Sequence, residues 1–197
     1  MDYIIILQAF WIVIPVYVDN ASAVIVGGGL PVDFGKKWSD GKRILGDGKT
    51  WRGLLSGTFL GMTAGFGLVV AASYINTSEY SFLNLSDFER FPIMIPIIFS
   101  LCFGALLGDI IESFFKRRIG KSRGEDWILF DQLDFLLGAL FFSFLVCEFL
   151  QLFGLTTENW FIKSLFPWHI VVLIIVTPFI HFLSNFIHKK ILALHAK

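Results

Sequence analysis

Charge is scarce in this chain. Sixteen Lys and Arg balance 16 Asp and Glu among 197 residues, so charged side chains make up 16% and the net charge is zero. Cysteine is scarcer: Cys102 and Cys147 each lie inside an apolar run, which excludes a disulfide framework and leaves both as packing residues. No GxSxG elbow occurs and neither cysteine has a base beside it, so nothing supports covalent catalysis. A basic n-region is missing as well. Asp2 stands there, and no small-residue cleavage site follows the first apolar run, so no signal peptide is expected. Even the GDGKT at 46–50 lacks what a phosphate-binding loop requires, because Arg43 occupies the position of its first glycine and no strand precedes it.

What abounds is apolar surface. Hydrophobic residues make up 55% and aromatic residues 17%, with 23 Phe, and the mean hydropathy is +0.71. A soluble domain of this length cannot use so much, so the class is an integral membrane protein. Runs near the length of a bilayer-spanning helix predict an all-α chain, a single domain over 1–197. Its five transmembrane helices fall at about 3–26, 54–75, 93–111, 133–153 and 169–187, and its two large polar loops at 27–53 and 112–132. Lys and Arg number six in 27–53, five in 112–132 and three after 187, against Arg90 and Lys163 elsewhere. The positive-inside rule then puts the N-terminus outside and both loops and the C-terminus in the cytoplasm.

Charges inside or at the ends of apolar helices call for a reason. Asp19, Asn20, Asp109 and Asp134 all fall at predicted cytoplasmic helix ends. Asp109, Glu112, Ser113 and Lys116 follow i, i+3, i+4, i+7 spacing, which puts them on one helical face. Asp131 and Asp134 repeat the acidic i, i+3 spacing after a basic cluster of Lys116, Arg117, Arg118, Lys121 and Arg123. Carboxylates beside such a cluster suit a metal-bound, multiply phosphorylated ligand. The competing reading is a charged loop that only orients its helices. Loop 27–53 interleaves Asp33, Asp40 and Asp47 with Lys36, Lys37, Lys42, Arg43, Lys49 and Arg52 among many glycines. It wraps phosphates or lies on anionic lipid.

Gly53, Gly57, Gly61 and Gly65 recur every fourth residue in the second span. Such a stripe packs helices closely, within one chain or in a homodimer. Gly104, Ala105 and Gly108, with Gly138 and Ala139, do the same near the acidic pairs and would bring them together. Glu148 falls toward the opposite face and reads as structural, and His181, His188 and His195 as a polar stripe on the last helix.

Phosphoryl or nucleotidyl transfer fits this inventory. A phosphate monoester, with a second pKa of about 6, needs little base help. It needs charge cancellation, in-line alignment and a stabilised pyrophosphate. GDIIESFFKRRIG followed by DQLDF closely resembles the signature of the membrane cytidylyltransferases, and PVDFGKKWSDGKRILGDGKTWRG is similar to the first cytoplasmic loop of CDP-archaeol synthases. Where the bacterial phosphatidate enzymes carry His-Gly-Gly, this chain has Asp126-Trp127-Ile128.

The resemblance implies that CTP and an unsaturated archaetidic acid, an isoprenoid ether lipid phosphate, give CDP-archaeol and pyrophosphate with Mg²⁺ at the plasma membrane. It implies no nucleic-acid partner. With the residue reading, it assigns the metal to Asp131, Asp134 and Asp109, with Lys116 in the catalytic set. The triphosphate falls to Lys116, Arg117, Arg118 and Arg123, closed over by Asp33, Lys36, Asp47, Lys49, Thr50 and Arg52, with Asn20 and Ser113 as polar contacts. Transfer to an ester phosphatidate, a dolichol-kinase-like CTP-dependent kinase and a small ion-coupled transporter stand as alternatives.

Overall fold

The computed structural model describes residues 3–121, 125, 127, 130–165 and 167–180. Four long helices dominate: α1 (Tyr3–Val26), α2 (Trp51–Ile75), α3 (Met94–Arg118) and α4 (Phe130–Leu152). Two shorter ones follow, α5 (Trp160–Ser164) and α6 (Pro167–Ile180). The first four are long and apolar enough to cross a membrane, and at 1.5 Å per residue each reaches about 35 Å. The fifth expected span, 169–187, overlaps α6 and then runs beyond the described residues, as do His181, His188 and His195. Large apolar side chains such as Leu55, Phe59, Phe141 and Phe149 point outward, as they do where the solvent is lipid.

Glycine sets the packing. On α2, Gly57 faces Ala23 and Asp19 of α1, Gly61 faces Pro15 and Asp19 of α1 and Cys102 of α3, and Gly65 faces Ile98 of α3. A Cβ at Gly61 would lie 2.7–2.8 Å from those neighbours, so only hydrogen fits. The stripe is therefore buried inside this chain. Gly108 and Gly138 appose α3 and α4 in the same way: a Cβ on Gly138 would sit 2.7 Å from the Gly108 Cα. Helices that approach this closely hold through dispersion and weak contacts spread along the seam.

The helix bounds differ from the hydropathy reading where charge enters. α3 continues through Lys116, Arg117 and Arg118, and α4 starts at Phe130, so much of the expected 112–132 loop is helix. Backbone hydrogen bonding carries the helix beyond the apolar run, and three cations in the last turn of α3 complement its dipole. α2 begins at Trp51 because Thr50 caps it, its hydroxyl accepting from the Gly53 amide at 3.1 Å.

At the far end, the connection from α2 to α3 is latched. Trp11 donates to the Ser86 carbonyl at 2.9 Å, Trp160 donates to the Ser86 hydroxyl at 3.1 Å, and Asn76 brackets Leu85. Glu148 accepts from Asn159 at 2.7 Å in the same layer. Both cysteines are buried and free.

Candidate active site

The end of the bundle where α1 and α3 finish and α2 and α4 begin gathers the polar groups. Asp109 and Glu112 are successive inward positions on α3, and Asp134 projects from the first turns of α4 across the glycine seam. One carboxylate oxygen from each lies within 4.8 Å of the other two. Lys49, from the loop, pairs with Asp109 at 2.5 Å, and Lys116 pairs with Glu112 at 3.2 Å and with Asp131 at 2.7 Å. Asp134 accepts from its neighbour's amide, Phe135, at 2.7 Å. Three hard oxygen donors from two rigid helices match what Mg²⁺ or another divalent ion binds, and the mutual repulsion of these carboxylates is what a cation would relieve.

Loop 27–50 folds over this cluster through its own scaffold. Pro31 and Thr50 bridge, as do Lys37 and Arg43. Asp33 is the hub: its buried carboxylate accepts from the amides of Gly35, Leu45 and Gly46 at 3.0–3.1 Å and from Arg43 at 2.9 Å. Burial pushes its pKa up, but the Arg43 bonds and the three amides outweigh it and hold the carboxyl well below the usual carboxylate range. Since the folded pKa is depressed, the stabilisation is complete above the unfolded value of about 3.9 and is lost only as pH falls through the lower folded value. Amide exchange over 35–46, corrected for intrinsic rates, should therefore stay slow and unchanged from pH 8 to pH 5. Asp33→Ala should speed it roughly thirtyfold, the equivalent of about 2 kcal/mol from charge-assisted bonds. Wild-type-like protection in that variant would remove Asp33 from the hub role.

Arg118 braces the loop against α3, pairing with Asp40 at 2.8 Å, donating to the Arg43 carbonyl and covering the Phe114 ring. Lys42 donates to the Arg118 carbonyl at 3.0 Å.

Three cavities meet at the carboxylates. The largest, about 700 Å³, is basic and polar, lined by Lys42, Arg43, Lys49, Lys116, Arg117 and Lys121 together with Asp109, Glu112, Ser113, Asp131 and Asp134. An apolar groove of about 500 Å³ runs between α3 and α4, lined by Ile111, Phe115, Trp127, Phe130, Leu137 and Phe141. It ends at Glu112 and Asp134. A third, of about 410 Å³, opens between α1, α2, α3 and the loop, and shares Asp47, Gly48, Lys49 and Asp109 with the basic cavity.

The residues expected from sequence are distributed unevenly over this site. Asp109, Asp134, Lys116, Lys49, Asp47, Ser113, Arg117 and Asp131 surround the basic cavity, and Asn20, Thr50, Lys49 and Asp47 the third one. Asp131 is engaged by Lys116 and by the Trp127 amide at 3.0 Å, and Glu112 stands with Asp109 and Asp134. Asp33 turns into the loop and Arg118 braces it, while Lys36 and Arg52 are exposed outside the three cavities. Arg123 lies outside the described residues. Sequence reasoning did not select Glu112, Lys42, Arg43 and Lys121 for the site. Glu112 had a signal, since it lies three residues from Asp109 on the same face. Asp19 is fully buried against Gly57 and Gly61, and neither carboxylate oxygen has a hydrogen-bond partner among the described residues.

The chain is similar to known proteins over nearly its whole length. The family model CarS-like, described as CDP-archaeol synthase, matches residues 2–195. A CDP-archaeol synthase of Thermococcus onnurineus is 40% identical, covering 93% of this chain and 92% of its own. One from Archaeoglobus fulgidus is 41% identical, covering 95% and 94%. A solved structure of an intramembrane enzyme for archaeal membrane lipids biosynthesis superposes with a TM-score of 0.63 at 33% identity, covering 91% of this chain and 94% of its own. Shared length, shared fold and a matching family model leave one assignment: the chain belongs to the CDP-archaeol synthase family.

Proposed function

We propose that this chain transfers CMP from CTP to the phosphate of an unsaturated archaetidic acid, giving CDP-archaeol and pyrophosphate. The observation that carries the reading is the meeting of three carboxylates with a basic cavity on one side and an apolar groove on the other. An oxygen of the lipid phosphate forms a bond to the α-phosphorus of CTP as the bond from that phosphorus to the bridging β-oxygen breaks. Pyrophosphate leaves with the electron pair. No proton has to move, because the nucleophile is already ionised near neutral pH.

Each part of the site has a task in that displacement. The α3–α4 groove takes isoprenoid chains from the bilayer and delivers the headgroup to Glu112 and Asp134. Lys42, Arg43, Arg117 and Lys121 hold the β- and γ-phosphates and stabilise the departing charge. Asp109, Glu112 and Asp134 would hold Mg²⁺, which when bound neutralises phosphate charge and aligns the reacting groups. Lys116 sets the division of labour between the acids: it ties down Asp131 and touches Glu112, so Asp131 orients the lysine instead of facing the metal. Lys49 couples loop closure to Asp109. Fourteen of the 16 Lys and Arg lie in the segments assigned to the cytoplasm, which supports a multi-pass protein of the plasma membrane with its site facing the cytoplasmic CTP pool.

The test uses purified protein, Mg²⁺ and CTP labelled at the α-phosphate, offered archaetidic acid, ester phosphatidate or a polyprenol. Label should enter the digeranylgeranyl lipid with stoichiometric pyrophosphate. Transfer of the terminal phosphate to the polyprenol, or no turnover with any acceptor, would overturn the assignment.

A further inference from the structure

Lys36 and Arg52 are exposed and line none of the three cavities, and the large apolar residues beside them are exposed as well. We infer that the segment formed by Leu30, Phe34 and Trp51 with Lys36, Lys37 and Arg52 docks on anionic lipid of the leaflet at this end of the bundle.

The lipid-facing surface of the helices leads directly to this segment. On α2, Trp51, Leu55 and Phe59 fall at i, i+4 and i+8, so they form one exposed stripe about 12 Å long. Trp51 ends it, and tryptophan is the residue that collects where a membrane meets water. The Phe34 ring lies 6.2 Å from the Trp51 ring, and the Leu30 carbonyl accepts from the Trp51 amide at 3.1 Å. Leu30 and Phe34 are 56% and 57% exposed. Val24 and Ile25 in the last turn of α1 are exposed further still, so apolar surface reaches the loop from both of its helices. The backbone at Phe34 has a φ of +52°, where a bulky side chain is strained and glycine is at ease. Insertion of the ring into lipid would offset that strain.

The charge left over on the segment has one sign. Asp33 and Asp47 are taken by Arg43 and Asp40 by Arg118, all at 2.6–2.9 Å. Lys49 is taken by Asp109. Lys36, Lys37 and Arg52 make no ion pair among the described residues. The loop thus neutralises its acids internally and presents only cations beside its exposed apolar residues. Long cationic stems lie along apolar surface while their heads stay in water, and each cation near an anionic membrane favours docking about fivefold. Phosphate-bearing lipid complements this surface in both polarity and sign. A docked loop is also held where its Lys49 meets Asp109.

The experiment places p-benzoylphenylalanine at Phe34 and irradiates the full-length protein in nanodiscs of phosphatidylcholine alone or mixed with phosphatidylglycerol. Placed at Phe59 instead, the same photoprobe reports lipid contact whatever the bilayer charge. At Phe34 the yield of lipid adduct should be several times higher in the anionic discs and should fall as salt is raised, since surface charges are screened. Lys37→Glu in the same background should lower the docking constant about 25-fold, because it removes two units of favourable charge at about fivefold each. Lys37→Arg should restore it. Equal adduct in both bilayers, or an adduct indifferent to Lys37→Glu, would overturn the inference. So would a crosslink to a second copy of the chain, which would make this face a subunit interface. The crosslink needs no turnover, so its result stands apart from the cytidylyl-transfer reading.

Discussion

Asp134→Asn is expected to lower kcat by on the order of a thousandfold while the protein stays folded. Asparagine is nearly isosteric, and the acceptor for the Phe135 amide remains, so the first turn of α4 keeps its geometry. What disappears is one of three charges that converge within 4.8 Å. Losing one electrostatic partner of a phosphoryl transition state typically slows the reaction by 10²–10³, and a metal ligand lies at the upper end. The same logic separates the two readings of the acidic set. Glu112→Gln should raise the Mg²⁺ concentration for half-maximal rate about tenfold or more, because Glu112 stands in the cluster. Asp131→Asn should shift that concentration much less and act mainly through Lys116, which it holds at 2.7 Å. Titrating Mg²⁺ at saturating CTP for all three variants decides it. If Asp131→Asn shifts the metal dependence and Glu112→Gln does not, the ligand set is the one the D-x-x-D spacing suggests.

That contrast shows what a sequence can and cannot convey at this site. Helical periodicity within one element was legible: i, i+3, i+4, i+7 placed Asp109, Glu112, Ser113 and Lys116 on one face, and the structure has them on the inward face of α3 or beside it. Which α4 residue meets them depends on the axial register of two helices, and that register is fixed by where Gly108 seats on Gly138. Local spacing carries no information about it. Asp131 and Asp134 are chemically alike and adjacent in pattern, yet one turns to Lys116 and the other to the cluster. Asp33 failed to reveal its place for a related reason. Its carboxylate is used by Gly35, Leu45, Gly46 and Arg43, a set of partners defined by the loop's turns and not by any periodicity. Four apolar spans and the family motifs, by contrast, are written in composition and contiguous residues, where a one-dimensional reading works well.

Gly138→Ala should reduce kcat about a hundredfold, although it adds only a single uncharged methyl group. The Gly138 Cβ position lies 2.7 Å from the Gly108 Cα and 2.8 Å from its amide nitrogen, so the methyl group would press on backbone. No rotamer relieves that contact. The seam between α3 and α4 must widen by something near an ångström, and Asp134, four residues earlier on α4, moves away from Asp109 and Glu112 with it. A misplacement of about 1 Å in a positioned site is enough for a loss of that size. Gly67→Ala on α2 is the control, because nothing lies within 4 Å of its Cβ position. There alanine should leave activity intact and stabilise the helix by about 0.5–1 kcal/mol. Thermal unfolding in detergent, measured beside kcat, separates geometry from stability. Gly138→Ala should lose far more activity than its shift in midpoint would explain at the assay temperature, and raising Mg²⁺ should recover part of it, since a widened cluster binds the ion more weakly. Full activity in Gly138→Ala would mean that the acidic cluster does not depend on the close seam, and the register argument for Glu112 over Asp131 would fall with it.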